Sequence, residues 1–271
     1  MIDTHAHLMY AHRGGYPGGP QAVVERAIAA GLRHLICVGA GGDLAEVQSA
    51  LQAARQFAGV SAICGIHPHD AKRLADGDGS DLWAGVEAAC ADPSCVAVGE
   101  TGLDYHYDLS DRQQQRAVFV RHIELARRLN KPLCIHTREA ETETLELLTD
   151  HGAAQCGGVI HCFSGTAAFG LRCAAELGFY LSIPGIVTFK QPGELVDLLR
   201  AAPRDRLLLE TDSPFLAPVP MRGRTNEPAY LPYTLAKVAE ILEIPPQQLA
   251  DETTANARRL FGHRLDKCLA V

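Results

Sequence analysis

Residues 132–185 read PLCIHTREAETETLELLTDHGAAQCGGVIHCFSGTAAFGLRCAAELGFYLSIPG, and this stretch decides the fold class. Short apolar runs alternate here with longer stretches of helical periodicity. We predict strands over Pro132–Thr137, Gly158–Ser164 and Phe179–Gly185, with helices over Arg138–His151 and Thr166–Leu177 between them. Such alternation is typical of parallel sheets that are covered by helices.

The same alternation continues on both sides of this stretch. Further strands are predicted at Met1–Leu8, His34–Gly39, Ser61–Pro68, Val96–Leu103 and Arg206–Asp212. Further helices are predicted at Pro20–Ala30, Asp43–Phe57, Asp81–Ala91, Asp111–Leu129, Gly193–Ala201 and Pro232–Leu242, and a last one that follows Pro246, ends near Leu260 and closes the outer ring. Eight β-then-α units in 271 residues predict an α/β fold, namely a (β/α)8 TIM barrel formed by one domain over residues 1–271.

An open, doubly wound sheet is the main alternative to a barrel. That fold would be favoured by a G-x-G-x-x-G phosphate loop directly after the first strand. Residues 11–20 read AHRGGYPGGP and lack this spacing. The barrel therefore remains the simpler prediction.

Composition and charge restrict the classes of function. The chain has 25 basic and 32 acidic residues, a net charge of −7, so no global positive field attracts it to nucleic acid or to an anionic membrane. It contains no secretory leader pattern and no apolar run of about 18 residues that could span a membrane. Its nine cysteines include no Cys-x-x-Cys pair and are expected to be reduced. We therefore expect a cytoplasmic protein with no membrane partner and no obligate protein partner.

Ionisable side chains recur where the predicted strands end. A strand buried on both faces should be nearly continuous in apolar residues, so these positions need another explanation. They are Asp3, His5, His7, His67, His69, Glu100, Asp104, His136, His161, Glu210 and Asp212. Side chains alternate with period two along a strand, which places Asp3, His5 and His7 on one face, and likewise Glu210 and Asp212. So many imidazoles and carboxylates at one end of a barrel are unfavourable without a cation, which predicts divalent metal binding.

This ligand set predicts two metal ions. His5, His7, Glu100 and Asp212 can surround one ion, and His136, His161 and a shared Glu100 can hold a second about 4 Å away. Such a pair lowers the pKa of a bound water and neutralises charge in the transition state, which favours hydrolysis without a covalent intermediate. The mixed donors suit Mg, Mn or Zn, and the histidines favour Zn or Mn over Mg.

The motifs resemble those of the TatD-type metal-dependent hydrolases, which are a branch of the amidohydrolase-like barrels. The blocks that carry the resemblance are IDTHAHL (2–8), GIHPH (65–69), GETGLDY (99–105), PLCIHTREA (132–140), GVIHCFSG (158–165), GIVTFK (185–190), LLLETDSPFLAP (207–218) and RGRTNEP (222–228). They follow one another along the whole chain at sensible separations. Barrel amidohydrolases that bridge their metals with a carboxylated lysine on the fourth strand are disfavoured, because that strand supplies Glu100 instead.

The resemblance implies a set of functional residues. It implies metal ligands at His5, His7, Glu100, His136, His161 and Asp212, and catalytic roles for Glu100 and Asp212. It also implies that His67 acts on the reaction or the substrate, and that Glu210 is a supporting carboxylate beside Asp212. Family members are deoxyribonucleases that are often magnesium-dependent and act from the 3′ end of single strands, with RNA also reported. The expected substrate is therefore an end of single-stranded DNA or RNA.

Contacts to such a substrate are expected from a few residues near the strand ends. His69 and Arg138 lie there, and Arg222 lies in the RGRTNEP block, so we expect these three residues to bind substrate. Two other functions remain open. The same metals could hydrolyse an ester or amide, for example an aminoacyl ester on RNA, or a metal could stabilise a barrel that only binds a partner.

Overall fold

The computed structural model describes residues 1–9, 15–75 and 79–270 of the chain. The strands are β1 (Ile2–Ala6), β2 (His34–Ala40), β3 (Val60–Gly65), β4 (Cys95–Asp104), β5 (Leu133–Arg138), β6 (Gly158–Ile160), β7 (Tyr180–Ile183) and β8 (Leu207–Leu209). The α-helices within these ranges are α1 (Gly19–Ala29), α2 (Leu44–Gln56), α3 (Gly79–Ala91), α4 (Arg112–Leu129), α5 (Glu141–Asp150), α6 (Ala167–Leu177), α7 (Leu195–Ala201), α8 (Leu231–Ile241) and α9 (Pro246–Phe261). Every predicted strand overlaps an observed one.

The eight strands form one parallel sheet in the order of the chain, β1 to β8. The sheet closes on itself beyond the end of β8, where Ala6 forms a parallel bridge with Ser213. The backbone N–H of His7 donates to Ser213 O at 2.8 Å, and that of Asp212 donates to His5 O at 3.0 Å. A nearly closed barrel results, which confirms the predicted (β/α)8 fold and excludes the open sheet.

Local signals in the sequence explain where several helices begin. Asp43, Asp111 and Thr166 precede α2, α4 and α6, and their side chains accept hydrogen bonds from backbone N–H groups of the first turn. These caps satisfy donors that have no partner within the helix. Each helix therefore starts shortly after a strand end, and the polar strand ends are left at the mouth of the barrel.

Alternate residues of the strands face the interior and the helices. Ile36 and Val38 of β2 and Ile63 of β3 pack in an inner cluster, whereas Leu35 and Cys37 belong to the layer beneath the helices. Both faces are buried, which explains the continuous apolar runs of the strands.

Helix α9 differs from the predicted outer-ring helix. Its Ala257 and Phe261, together with Leu265 just beyond it, pack in the same inner cluster as Ile36 and Ile63. These apolar side chains cover the amino-terminal end of the barrel. The opposite end, at the carboxyl ends of the strands, is left to the polar residues. Among the residues that the structure describes, no helix is long and apolar enough to cross a membrane.

Candidate metal centre

Close backbone approaches place Glu100 in the mouth of the barrel. Gly99 has a φ of 145°, and a Cβ there would lie 2.3 Å from Cys134 O of β5. A Cβ on Gly65 of β3 would lie 2.6 Å from the carbonyl carbon of Gly99. Only glycine fits at both positions. Strand β4 therefore packs closely against both β3 and β5. Its register against β5 shifts between Gly99 and Thr101, where Glu100 lies.

Glu100 lies at the centre of four histidines. Its Oε1 is 2.8 Å from His161 Nε2, 3.2 Å from His136 Nδ1 and 3.3 Å from His67 Nε2. Its Oε2 is 3.4 Å from His5 Nε2. One carboxylate therefore faces nitrogen atoms from strands on both sides of the barrel mouth.

A second carboxylate, Asp212, lies beside the histidines of β1. Its Oδ1 is 3.6 Å from His7 Nε2 and 3.8 Å from His5 Nε2. His5 also stacks on His161, with ring centroids 3.9 Å apart. The structure thus brings together all six residues predicted as metal ligands.

The arrangement of these donor atoms suits coordination of a metal ion better than hydrogen bonds among the side chains themselves. His5 Nε2 and His161 Nε2 are buried and have no correctly oriented hydrogen-bond partner in the described part of the chain, although carboxylate oxygens lie close to both. Buried polar atoms without partners are costly, and a cation that accepts their lone pairs removes this cost. Three overlapping groups have ligand atoms within 4.8 Å of one another, namely His5–His7–Glu100, His5–His161–Asp212 and His67–Glu100–His136.

Charges within the centre support this interpretation. Burial alone would raise the pKa of Glu100, but the neighbouring His161 and His67 hold that pKa well below its usual range. Burial lowers the pKa of His67 to about 4, so its imidazole is neutral near pH 7. An ionised carboxylate and a neutral imidazole are the protonation states that metal binding requires. Despite burial, Glu100 and Glu210 raise the pKa of His161 well above its usual value, so a metal ion would have to displace a proton from this ring.

Glu210 contacts His161 and the backbone of Cys162. Its Oε1 accepts a 2.6 Å hydrogen bond from the backbone N–H of Cys162 and lies 3.3 Å from His161 Nδ1. It therefore orients the ring of His161, whose Nε2 faces Glu100. Asp3 does not join the cluster with His5 and His7, because Thr211 donates to both of its carboxylate oxygens. Strand β1 shifts register against β2 between Asp3 and Ala6, so simple period-two alternation fails there.

A cavity of about 1230 Å³ opens over the centre. Its walls include Glu100, His161 and Asp212 and two of the three predicted substrate contacts, His69 and Arg138. The guanidinium of Arg138 lies 4.8 Å from the ring centroid of Tyr107, which is 54% exposed.

The third predicted contact, Arg222, does not line this cavity. Its Nη1 donates to Ala217 O at 3.1 Å, and its guanidinium lies over the ring of Phe189. The neighbouring Asn226 is buried and donates to Thr211 O and Phe215 O. Hydrogen bonds from Arg222 and Asn226 therefore stabilise the conformation of this loop.

Comparison with known proteins identifies the family. A family model described as TatD related DNase matches residues 2–262. The chain belongs to this family. The TatD resemblance predicted from the sequence motifs is thereby confirmed, and the protein is a TatD-type metal-dependent hydrolase.

Relatives of this TatD protein are similar over nearly their whole length. The metal-dependent hydrolase YabD of Bacillus subtilis is 38% identical over 261 residues, which cover 96% of this chain and 98% of YabD. A Citrobacter rodentium protein named 3′-5′ ssDNA/RNA exonuclease TatD is 38% identical over 245 residues, covering 89% and 90% of the two chains. The crystal structure of YjjV, a TatD homologue from Escherichia coli K12, superposes with a TM-score of 0.86 at 26% identity and covers 96% of this chain and 97% of YjjV.

Two residues of this TatD-type site have roles that the sequence did not reveal. Asp104 Oδ2 lies 2.9 Å from His69 Nε2 and 3.0 Å from His136 Nε2, so it orients both rings. His122 on α4 accepts a 3.1 Å hydrogen bond from the backbone N–H of Ile66, next to His67. The GLDY motif contains the signal for Asp104, whereas His122 lies within a helix and gives no pattern.

Proposed function

We propose that this protein is an exonuclease that hydrolyses single-stranded DNA from its 3′ end and also acts on RNA, with two divalent ions at the barrel mouth. The observation that carries the proposal is the position of Glu100, whose Oε2 faces His5 while its Oε1 faces His67, His136 and His161. The name of the Citrobacter rodentium relative supports the substrate class.

The residues divide into two ligand sets around Glu100. His5, His7 and Asp212 would hold one ion with Glu100, and His136 and His161 would hold the other. His67 Nε2 lies almost as close to Glu100 as His136 Nδ1 does, so His67 is a further donor on the second side. When bound, Mg, Mn or Zn would lower the pKa of a water molecule and neutralise charge that develops on the phosphoryl group.

Asp212 has the position of a proton acceptor. Burial would raise the pKa of Asp212, but the adjacent imidazoles of His7 and His5 hold that pKa below its usual value. Its carboxylate is therefore ionised at neutral pH, and Asp212 lines the cavity over the metal centre. We assign Asp212 to orienting the attacking water and accepting its proton.

Arg138 and His69 are proposed to hold the substrate. Both line the cavity, and Arg138 is stacked over Tyr107, which leaves the fork of its guanidinium available for a phosphate. Tyr107 offers an exposed ring on which a base can stack. A role for Arg222 requires the substrate to reach beyond the cavity, and it stays a prediction.

We also place the reaction in the cytoplasm. All nine cysteines are free thiols, and six of them are buried. Free thiols persist in reducing compartments and become oxidised outside them.

The test is incubation of the purified protein with single-stranded DNA labelled at the 3′ or the 5′ end. With Mn or Mg, we expect the 3′ label to appear at once as mononucleotide, whereas the 5′ label passes through a ladder of shortening strands. A chelator should abolish both patterns. Intact DNA and RNA with every metal, together with cleavage of acylated RNA or small carbonyl esters, would overturn the proposal in favour of ester or amide hydrolysis.

A further inference from the structure

A second cavity lies at the opposite end of the barrel from the metal centre. Its volume is about 410 Å³, within the range of small-molecule sites. The segment 54–61, which leads from α2 into β3, forms one wall, and Arg264 and Lys267 beyond α9 form another. His34 at the start of β2 also lines it, whereas Val38 on the same strand lines the upper cavity. The two cavities are therefore about 13 Å apart along one strand.

The lower cavity has an unusual concentration of positive charge. Of the residues that the structure describes, Arg55, Arg264 and Lys267 line it and no carboxylate does, although the chain as a whole has a net charge of −7. Arg55 forms an ion pair with Asp92 at 2.8 Å. Within the described part of the chain, no ion pair with a carboxylate is found for Arg264 or Lys267. At least two cations therefore face this cavity without a compensating charge.

Two hydrogen bonds of the buried His34 side chain stabilise the turn beyond α9 that carries Arg264 and Lys267. His34 Nδ1 is 2.9 Å from Lys267 O, and a carbonyl can only accept, so Nδ1 carries the proton. Burial lowers the pKa of His34, so its ring is neutral, and Nε2 accepts from Ser61 Oγ at 2.9 Å. His34 thus contributes no charge and instead holds the backbone of Lys267 against β2 and β3.

The segment that follows this turn, residues 268–270, is also held in place by backbone hydrogen bonds. Leu269 N–H donates to Arg33 O at 2.8 Å, and Ala270 N–H donates to Ala58 O at 3.2 Å. Gly59 has a φ of 72°, and a Cβ there would lie 2.3 Å from the backbone nitrogen of Leu269. The carboxyl-terminal segment can therefore pack against the turn before β3 only because residue 59 is glycine. Arg264 and Lys267 are held beside the segment that bears Arg55 before any ligand arrives.

We propose that this lower cavity binds a small phosphorylated anion, either inorganic phosphate or the phosphate monoester of a nucleotide. Two uncompensated cations match the charge of a phosphate dianion, and an arginine fork matches its oxygens. Ser94 also lines the cavity. The inner cluster that contains Ile36 and Ile63 separates the site from the metal centre. The proposal does not depend on the exonuclease activity.

The experiment is calorimetric titration of the metal-loaded protein with inorganic phosphate and, separately, with a nucleoside monophosphate. The test variant is Arg264→Gln with Lys267→Gln, and the control is Arg200→Gln with Lys237→Gln, which removes two charges from the outer helices α7 and α8. We expect the test variant to lose one binding event or to weaken it at least tenfold, while the control binds like the wild type. Glu100→Gln should retain this event, which distinguishes it from binding at the metal centre.

A second variant distinguishes a loss of the binding site from a loss of folding in the double variant. Lys267 is exposed, so Lys267→Glu should fold normally while reversing the charge at the cavity, and we expect it to abolish the same event. Tighter binding of the monophosphate than of phosphate would identify a nucleotide as the ligand, and equal binding would identify free phosphate. Unchanged titrations in both lower-cavity variants would overturn the proposal. Binding of an oligonucleotide alone, with neither small anion bound, would overturn it as well.

Discussion

Asp104 Oδ2 lies 3.0 Å from His136 Nε2, and this contact leaves Nδ1 of the same ring 3.2 Å from Glu100. Asp104 also accepts backbone N–H bonds from His106 and Tyr107. Together with the bonds from His136 and His69, they hold the pKa of Asp104 well below its usual value despite burial. The carboxylate is therefore ionised, Nε2 of His136 donates to it, and Nδ1 of the same ring faces the metal centre.

Asp104→Asn should weaken metal binding. The amide keeps the size of the side chain but loses the charge that fixes the ring of His136, and losses of about 10- to 100-fold in metal affinity are typical of such changes. The measurement is the Mn concentration that gives half-maximal activity. Asp108→Asn is a matched control, because the side chain of Asp108 bonds only to the exposed Arg112 among the residues that the structure describes. Equal midpoints for the Asp104 variant and the wild type would show that Asp104 does not position a ligand.

Glu100→Ala should reduce turnover by orders of magnitude while the barrel stays folded, because the carboxylate shared between both ligand sets is lost. Turnover and metal content are measured together. Glu139→Ala is the control, since Glu139 lines the same cavity but bonds only to His106 among the described residues. Retained activity with normal metal content would rule out the two-metal account.

His161→Ala should selectively empty one of the two ion positions. Its Nε2 lies 2.8 Å from Glu100 Oε1, the oxygen that also faces His136 and His67. Elemental analysis is expected to show about one metal ion fewer per chain than in the wild type. An unchanged ratio would refute the assignment of His161.

Stability should fall in mild acid because of His122. Burial lowers its pKa in the folded protein to about 4 from 6.5, so the unfolded chain binds more protons between these values. The free energy of unfolding should therefore decrease by about 2 kcal/mol between pH 7 and pH 5 through this group alone. Urea unfolding at both pH values measures it, and His122→Gln should show a correspondingly smaller decrease. An equal decrease in the variant would assign the effect to other groups.

Arg138→Gln should raise the KM for single-stranded DNA about tenfold with little change in kcat, because the guanidinium binds substrate away from the reacting bond. Arg172→Gln is the control, since Arg172 lies on α6 and pairs with Glu176. A fall in kcat with unchanged KM would instead place Arg138 at the reacting phosphate.

The barrel fold and the clustering of the predicted ligand residues at one end of it could be predicted from the sequence, because both depend on local signals and on strand direction. Strand alternation and capping residues such as Asp111 are local signals, and parallel strands must bring His5, Glu100 and Asp212 to one end. Orientation was harder to predict. That Asp104 fixes His136, or that Glu210 contacts His161, depends on rotamers and on register shifts in β1 and β4, which residue spacing does not contain.

The least predictable residues act across long separations. His122 supports the end of β3 from α4, and His34 holds Lys267 from 233 positions away in the chain. Neither belongs to a motif, because each is a single histidine with no ionisable partner at a characteristic spacing. Arg222, in contrast, does belong to a motif. That motif predicts a substrate contact, whereas in the structure the guanidinium lies against Phe189 outside the cavity.

The most direct test of the central claim is a titration of metal-free protein with Mn²⁺, followed at each point by release of mononucleotide from 3′-labelled single-stranded DNA. The account predicts two bound ions per chain, with cleavage that rises only as the second ion binds, and neither effect in Glu100→Ala. Full activity with one bound ion, or two bound ions without any release of nucleotide, would contradict it.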